Sequence, residues 1–341
     1  MKIAIINDTH FGARNDHQLF LDYFLSFFEK QFFPFLLENN IDTVFHLGDL
    51  MDRRKFVNFH TLNAVQSRFF SFLKEHKIKL HMIIGNHDTY YKNTNEINSA
   101  KELFGGTDNF YLYENPTLIE LDEIKFAMLP WICADNYDQS LDFIKNTSAN
   151  ILCGHLELRG YEIMRGIKFS EGMTDEGLDK FEMVLSGHFH NKSTNKNVTY
   201  LGTQYEITFS DAEDVKGFHT FDTSTKELTF HKNNDKMFYL IKDISEITDF
   251  SIYKDKYVKL LITDNFPKKD IENIISSIEN ANPFDLTIVE NYTIKNTDST
   301  LDLSKDTITI INEEIDNLDI EISKESLKKI TNEIYLEALD I

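Results

Sequence analysis

Five short segments of the chain concentrate the residue types that hold metal ions and activate water. They are Asp8-Thr9-His10, Gly48-Asp49-Leu50-Met51-Asp52-Arg53, Gly85-Asn86-His87-Asp88, Gly154-His155 and Gly187-His188-Phe189-His190. Asp8, His10, Asp49, Asn86, His155, His188 and His190 together supply seven oxygen and nitrogen donors. Carboxylates and imidazoles in this mixture suit hard-to-borderline divalent ions such as manganese, iron or zinc, whereas a thiolate-rich set would point to structural zinc. Two ions sharing one carboxylate need about that many protein ligands if each is to keep a position open for water and substrate. Such pairs, ~3.5–4 Å apart, generate a nucleophile from water and stabilise both oxygens of an in-line displacement at phosphorus. A lone Asp-x-His is a weak signal, and Gly-Asn-His-Asp can arise in any loop. The weight lies in all five occurring together, most of them after an apolar run.

Those runs are the elements that must position the donors. Residues 2–7 read as a buried strand, 18–38 as a Phe-rich helix, 43–47 as a second strand, 61–76 as a helix and 80–84 as a third strand. A β-α-β-α-β order implies a largely parallel inner sheet. Further strands are expected at 125–129, 150–153, 182–186 and 198–201. The fold class is therefore α/β, a two-layered mixed β-sandwich flanked by helices. In such sheets ligands gather at the ends of strands, where four of the five segments fall.

Beyond about residue 237 the pattern changes. Alternation over 257–263, a helical pattern over 268–281 and a strand at 285–289 form a small β-α-β unit of their own. A polar linker at 295–300 precedes two helical segments, 304–317 and 324–339, the second opened by Ser323 with Ser326 nearby. The expected domains are 1–240, 241–294 and 295–341. Leu327, Ile330, Ile334 and Leu339 recur at helical spacing, which fits a partner surface as well as a helix packed on its own chain.

Composition bounds the partners. With 41% hydrophobic residues and 29 Phe the chain has ample core material, and no apolar run approaches the ~20 residues that span a bilayer. A cytoplasmic protein is expected, with Cys133 and Cys153 as buried thiols. The net charge of -21 works against nonspecific affinity for nucleic acid, which comes mainly from Lys and Arg on phosphates. Any such contact must be local, metal-assisted or shared with a partner. Arg14, Arg53, Arg54, Tyr91 and Lys92 flank the motifs and are the candidates for it, by charge or by stacking. His46, His76 and His81 show no partner pattern and read as ordinary core or surface histidines, and His17 and His60 as loop residues.

The five segments resemble the signature of the calcineurin-like metallophosphoesterases, and the likeness covers about residues 1–240. It implies that Asp8, His10, Asp49 and His190 hold one metal and Asn86, His155 and His188 the other, with Asp49 bridging and His87 catalytic beside the scissile phosphate. Within that superfamily the segment spacing, Leu129-Pro130-Trp131, Gly202-Thr203 and the appended β-α-β unit are similar to the SbcD-type DNA double-strand-break repair nucleases and their bacteriophage relatives. That likeness implies a manganese-dependent exonuclease and endonuclease acting on DNA ends. The β-α-β unit would cap the active site, the tail helices would bind an SbcC-type coiled-coil ATPase, and a second copy of the chain is a further candidate partner. The location would be the cytoplasm, the host's if the chain is phage-encoded. Asp52 stands where SbcD-type nucleases usually carry His, and a carboxylate near His87 would favour the imidazolium and so a general acid. A metallophosphatase or cyclic-nucleotide phosphodiesterase is the alternative, and a non-catalytic scaffold a more distant one.

Overall fold

A computed structural model of the chain describes residues 1–164, 166–263, 268–291, 307–317 and 323–339. The chain divides into two compact units, Met1–Lys236 and Met237–Ile341.

The first unit is built on two six-stranded sheets. In one, β1 (Lys2–Ile6), β2 (Thr43–His46) and β3 (Lys79–Ile83) run parallel, followed by Phe110–Tyr113. Gly217–Asp222 pairs antiparallel with β1, and Glu227–Lys232 closes that edge. In the other sheet Ile124–Leu129, Ile151–Gly154, Met183–Ser186 and Val198–Tyr200 are parallel, with Thr117–Leu121 and Ser193–Asn195 as antiparallel edges.

The two-residue period of the strands decides what lies between the layers. Ile3, Ile5, Phe45 and Ile83 of the first sheet share one buried cluster with Phe126, Met128, Ile151, Cys153 and Leu185 of the second. The alternate residues Ala127, Leu129, Leu152 and Val184 face the other way, onto Ile144 of the helix Tyr137–Asn146. Cys133 and Cys153 are buried free thiols.

Residues 18–38 are helical throughout, as Gln18–Phe27, a π-helical turn over Phe28–Phe32, and Phe33–Glu38. Phe20, Phe24, Phe27, Phe28, Phe32 and Phe33 are all buried. At ~1.5–3 kcal/mol for each fully buried ring, this face alone anchors the helix. Phe33 stacks on Phe72 at 4.0 Å and Phe24 on Tyr205 at 4.1 Å. The Tyr205 hydroxyl then donates to the Thr9 carbonyl at 2.6 Å, so the aromatic core reaches directly into the first motif.

The second unit holds three parallel strands, Phe238–Ile241, Tyr257–Thr263 and Asp285–Asn291, with the helix Lys268–Asn280 as crossover. Ile271, Ile274, Ile275 and Ile278 pack on Val258, Leu260 and Ile262. Phe238–Ile241 joins this sheet by pairing with residues 257–260, which sets the division at 236/237, a few residues before the expected 240/241. The helices Thr307–Asn317 and Lys324–Leu339 pair through Asn312–Asn332 (3.0 Å) and Lys328–Asp316 (2.6 Å). Ile308 and Ile315 are buried, while Ile330 and Ile334 are 52% and 61% exposed. The expected linker at 295–300 and the break at 318–322 lie outside the described residues. No helix among the described residues is long and apolar enough to cross a membrane.

Candidate metal centre

All five motifs begin within three residues of the C-terminal end of a parallel strand, so the two sheets deliver them to one end of the sandwich. The turns that carry them are tight. Asp8, His10, Asp49 and His188 adopt positive φ (48°, 42°, 59° and 85°), a conformation that costs of order 1–3 kcal/mol per residue and persists where the surroundings enforce it. Gly85 leaves the room this requires, since a Cβ there would lie 2.1 Å from Asp49 Oδ1.

The donors converge. His10 Nε2 lies 3.0 Å from His190 Nε2, 3.9 Å from Asp8 Oδ1 and 3.8 Å from Asp49 Oδ2. Asp49 Oδ2 is 3.3 Å from His155 Nε2, and Asn86 Oδ1 is 2.9 Å from that nitrogen and 3.0 Å from His188 Nδ1. Three overlapping groups of donor atoms, each within 4.8 Å of one another, result: Asp8, His10 and His190; His10, Asp49 and His87; Asp49, His155 and His188. Asp49 belongs to two of them, the position a shared carboxylate would need. Nitrogen and oxygen atoms gathered to about 3 Å of one another are what a bound cation can draw together, and a set of carboxylate, amide and imidazole donors fits a pair of divalent ions.

Neighbouring groups orient these side chains. His155 Nδ1 donates to the Leu47 carbonyl (2.7 Å), leaving Nε2 toward Asp49. The His188 N–H donates to the Asp8 carboxylate at 3.0 and 3.2 Å, and the His87 N–H to Asp49 Oδ1 at 2.8 Å. Asp88 is buried and accepts the N–H groups of Gly85 (2.8 Å), Asp49 (2.8 Å) and Leu50 (3.0 Å), clasping the second motif to the third. The His190 carbonyl is held by Lys216 Nζ (2.9 Å) and the Thr203 N–H (3.1 Å), and Lys216 is itself paired with buried Asp211 at 2.6 Å. Asp88 lay within a motif and carried a signal. The Lys216–Asp211 pair carried none, because neither residue belongs to a recognisable spacing.

Burial and charge act against each other here. Burial pushes the Asp49 carboxyl up, but the surrounding His155, His87 and His10 outweigh it and hold Asp49 well below the usual carboxylate range. Burial pulls His155 down, and Asp49 more than reverses this, raising it to about 9. For His10 burial again lowers and the Asp52 carboxylate wins, with a net rise. Burial and the nearby Asp49 raise Asp88 to about 6 against its three N–H bonds. His190, with burial dominant and His10 adding to it, falls to about 4. Metal binding at such a centre would be expected to release protons from His10 and His155.

Asp52 lies beside two histidines, His10 and His87, and interacts electrostatically with both. Its carboxylate faces His10 Nδ1 at 3.3 Å, and it is the Asp52 backbone carbonyl that accepts from His87 Nδ1, at 2.6 Å. The chain turns at Met51–Asp52, where the Asp52 N–H bonds the Phe11 carbonyl, and this aims the side chain at the first motif. Of the candidates for nucleic-acid contact, Arg53 is engaged by Asn15 Oδ1 (2.6 Å) and Asp16 (3.4 Å). Arg14 lies over the Phe20 ring at 5.5 Å, Tyr91 and Lys92 are exposed, and Arg54 Nη1 is buried with no hydrogen-bond partner among the described residues. His46 is buried beneath the first motif, with Nε2 3.1 Å from Thr9 Oγ1, and His17 caps the helix at Gln18.

Comparison with known proteins bears on this geometry. Residues 1–192 match the family model of the calcineurin-like phosphoesterases. Exonuclease subunit 1 of Enterobacteria phage T4 is 29% identical over 347 aligned positions, covering 99% of each chain. Among solved structures, an archaeal phosphodiesterase is 15% identical over 68% of this chain and all of its own, with a TM-score of 0.33. A protein of unknown function from Aquifex aeolicus is 16% identical over 58% of this chain and 82% of its own, with a TM-score of 0.25. With the family model spanning more than half of the sequence and all five motifs brought together at one end of the sandwich, the chain belongs to the calcineurin-like phosphoesterase family and is a phosphodiester hydrolase.

Proposed function

We propose that the chain is the nuclease subunit of a DNA-end-processing complex, a metal-dependent exonuclease and endonuclease that works with an SbcC-type ATPase. The observation that carries this reading is the near full-length likeness to a phage protein named as an exonuclease subunit, which extends past the phosphoesterase region into the second unit. Asp8, His10, Asp49 and His190 would hold one divalent ion and Asn86, His155 and His188 a second, with Asp49 between them and manganese as the native metal. When bound, such a pair supplies a nucleophile from water near neutral pH and counter-charge for the phosphoryl oxygens.

The chain's own residues do the rest. His87 Nδ1 donates to the Asp52 carbonyl, which fixes the ring, and in its imidazolium form His87 would give its Nε2 proton to the leaving oxygen and become neutral. Asp52 acts one step back, holding the His10 ring. Asp88 keeps the loops of Asp49 and Asn86 in register. The exposed Ile330 and Ile334 on the last helix would meet the ATPase.

The test is to incubate the chain with manganese and end-labelled duplex DNA, with and without the ATPase, beside bis-p-nitrophenyl phosphate. Hydrolysis of both substrates is expected. Hydrolysis of the small ester with no attack on DNA in either condition would return the chain to a general phosphodiesterase.

A further inference from the structure

A cavity of about 160 Å³ opens beside the metal centre, lined by Trp131, Ile132, Tyr137, Leu156 and Met173, with His155 and Glu157 completing its wall. We propose that this cavity is a nucleobase pocket, taking the base of the nucleotide whose phosphate lies at the Asn86, His155 and His188 end of the centre. The proposal rests on the phosphodiesterase reading above and adds to it what the enzyme grips besides phosphate.

Three observations carry it. The first is position: His155 is both a wall of the cavity and one of the converging donors, so a phosphodiester on the centre has one of its substituents at the cavity mouth. The second is rigidity. The Trp131 N–H donates to the Ile84 carbonyl (2.7 Å), and its carbonyl accepts from Asn95 and Asn136, each at 2.9 Å. Its ring sits 5.3 Å from that of His188. Met173 is pinned opposite by its N–H to the Glu157 carbonyl at 3.0 Å. Such a wall is set before substrate arrives, and little ordering remains to be done on binding.

The third is chemistry. Among the described residues the lining has aromatic faces from Trp131 and Tyr137, apolar side chains around them, and no lysine or arginine. Glu157, the acid among these described residues, lies 3.5 Å from His188 Nε2 and would repel a second phosphate. An uncharged flat group fits and an anion does not. Because every base has a π-face, a pocket of this kind grips any of the four without reading sequence. It also offsets part of the cost of taking a terminal base out of its stack.

The chain has a single tryptophan, so tryptophan fluorescence, excited selectively over that of the tyrosines, reports on this wall alone. In the manganese-loaded protein, thymidine 5′-monophosphate and deoxyguanosine 5′-monophosphate should quench Trp131 saturably, whereas deoxyribose 5-phosphate should not. Thymidine 5′-p-nitrophenyl phosphate should be hydrolysed with a higher kcat/KM than methyl p-nitrophenyl phosphate, which shares the leaving group but has no base. Tyr137→Ala and Trp131→Phe should lower that ratio, Tyr137→Ala by roughly 5- to 100-fold if its stacking matches that of other single-strand platforms. Equal responses to nucleotide and sugar phosphate, or a ratio near one that neither variant moves, would overturn the pocket while leaving the hydrolase intact. Failure of the wild-type chain to hydrolyse either ester would overturn the phosphodiesterase reading, and the pocket with it.

Discussion

Lys216→Met removes a cation from beneath the metal centre, and the size of the effect follows from its surroundings. The Lys216 and Asp211 side chains are only 5% and 6% exposed, and Lys216 Nζ reaches Asp211 at 2.6 Å, Asp214 at 3.4 Å and the His190 carbonyl at 2.9 Å. Breaking a buried pair by deleting one partner costs ~3–5 kcal/mol, because the other charge is left stranded. Asp211 keeps the N–H groups of Ile207 (2.9 Å) and Thr208 (2.8 Å), which argues for the lower end, about 3 kcal/mol. For a unit of this size that is a fall in Tm of roughly 6–12 °C.

The pH dependence has a definite sign. Burial pushes the Asp211 carboxyl up, and the Lys216 and His190 charges outweigh it, so its folded value lies below the ordinary one. A carboxyl depressed on folding contributes stability that is present above its unfolded value, ~3.9, and is lost as the pH falls through the folded value. In Lys216→Met that depression is largely gone. The deficit should therefore be greatest near pH 7 and shrink below about pH 4, as both proteins carry a protonated Asp211. Thermal unfolding followed by circular dichroism, both proteins stripped of metal, measures it at the two pH values. An unchanged Tm at pH 7, or a deficit of equal size at both, would refute the reasoning.

Four further outcomes are expected. Asp49→Ala should abolish hydrolysis and bind fewer than two manganese ions per chain by elemental analysis; two fully occupied sites would contradict its place between the donor groups. His87→Ala should keep both ions yet lose ~10²–10⁴-fold in kcat, and loss of metal in that variant would make His87 a ligand instead. Gly85→Ala should lose activity and metal affinity together, since the added Cβ would meet Asp49 Oδ1 at 2.1 Å; full activity would show that the loop can yield there. Replacing Ile330 and Ile334 together by Asp should abolish co-purification with the ATPase while bis-p-nitrophenyl phosphate hydrolysis continues, and undiminished association would place the interface elsewhere.

The centre was legible in the sequence because its chemistry is local. Each donor sits within a few residues of a strand end, and an apolar run followed by Gly or Asp with His marks that place without knowledge of the fold. The central strands were legible for the same reason, since strands buried on both faces are written as short runs of consecutive apolar residues. What holds the donors in place was not. Lys216 reaches His190 across 26 positions, Tyr205 reaches Thr9 across 196, and His155 reaches Leu47 across 108. No spacing records such contacts, because they are created when two sheets close on each other. Asp52 shows the same limit across 35 positions: its place in the second motif set a carboxylate near His87, and nothing in the spacing told that its backbone carbonyl would take His87 Nδ1 while the carboxylate faced His10.

The acidity of the chain becomes intelligible from the same geometry. Arg53 is already engaged by Asp16 and Asn15, and Arg68 by Asp22 and Glu29, so these arginines are partly spent on the protein's own carboxylates. A chain of net charge -21 is poorly suited to track a duplex by phosphate neutralisation alone. Under the nuclease reading, positive charge would be supplied at one point, by the ions that Asp8, Asp49 and the histidines converge to hold. An acidic chain would then disfavour unproductive binding along the duplex, while the centre and its aromatic neighbour Trp131 would select a single phosphodiester and, under the pocket proposal, its base. Affinity for the rest of the DNA would fall to the partner, which is the division of labour that a subunit, rather than a free-standing nuclease, requires.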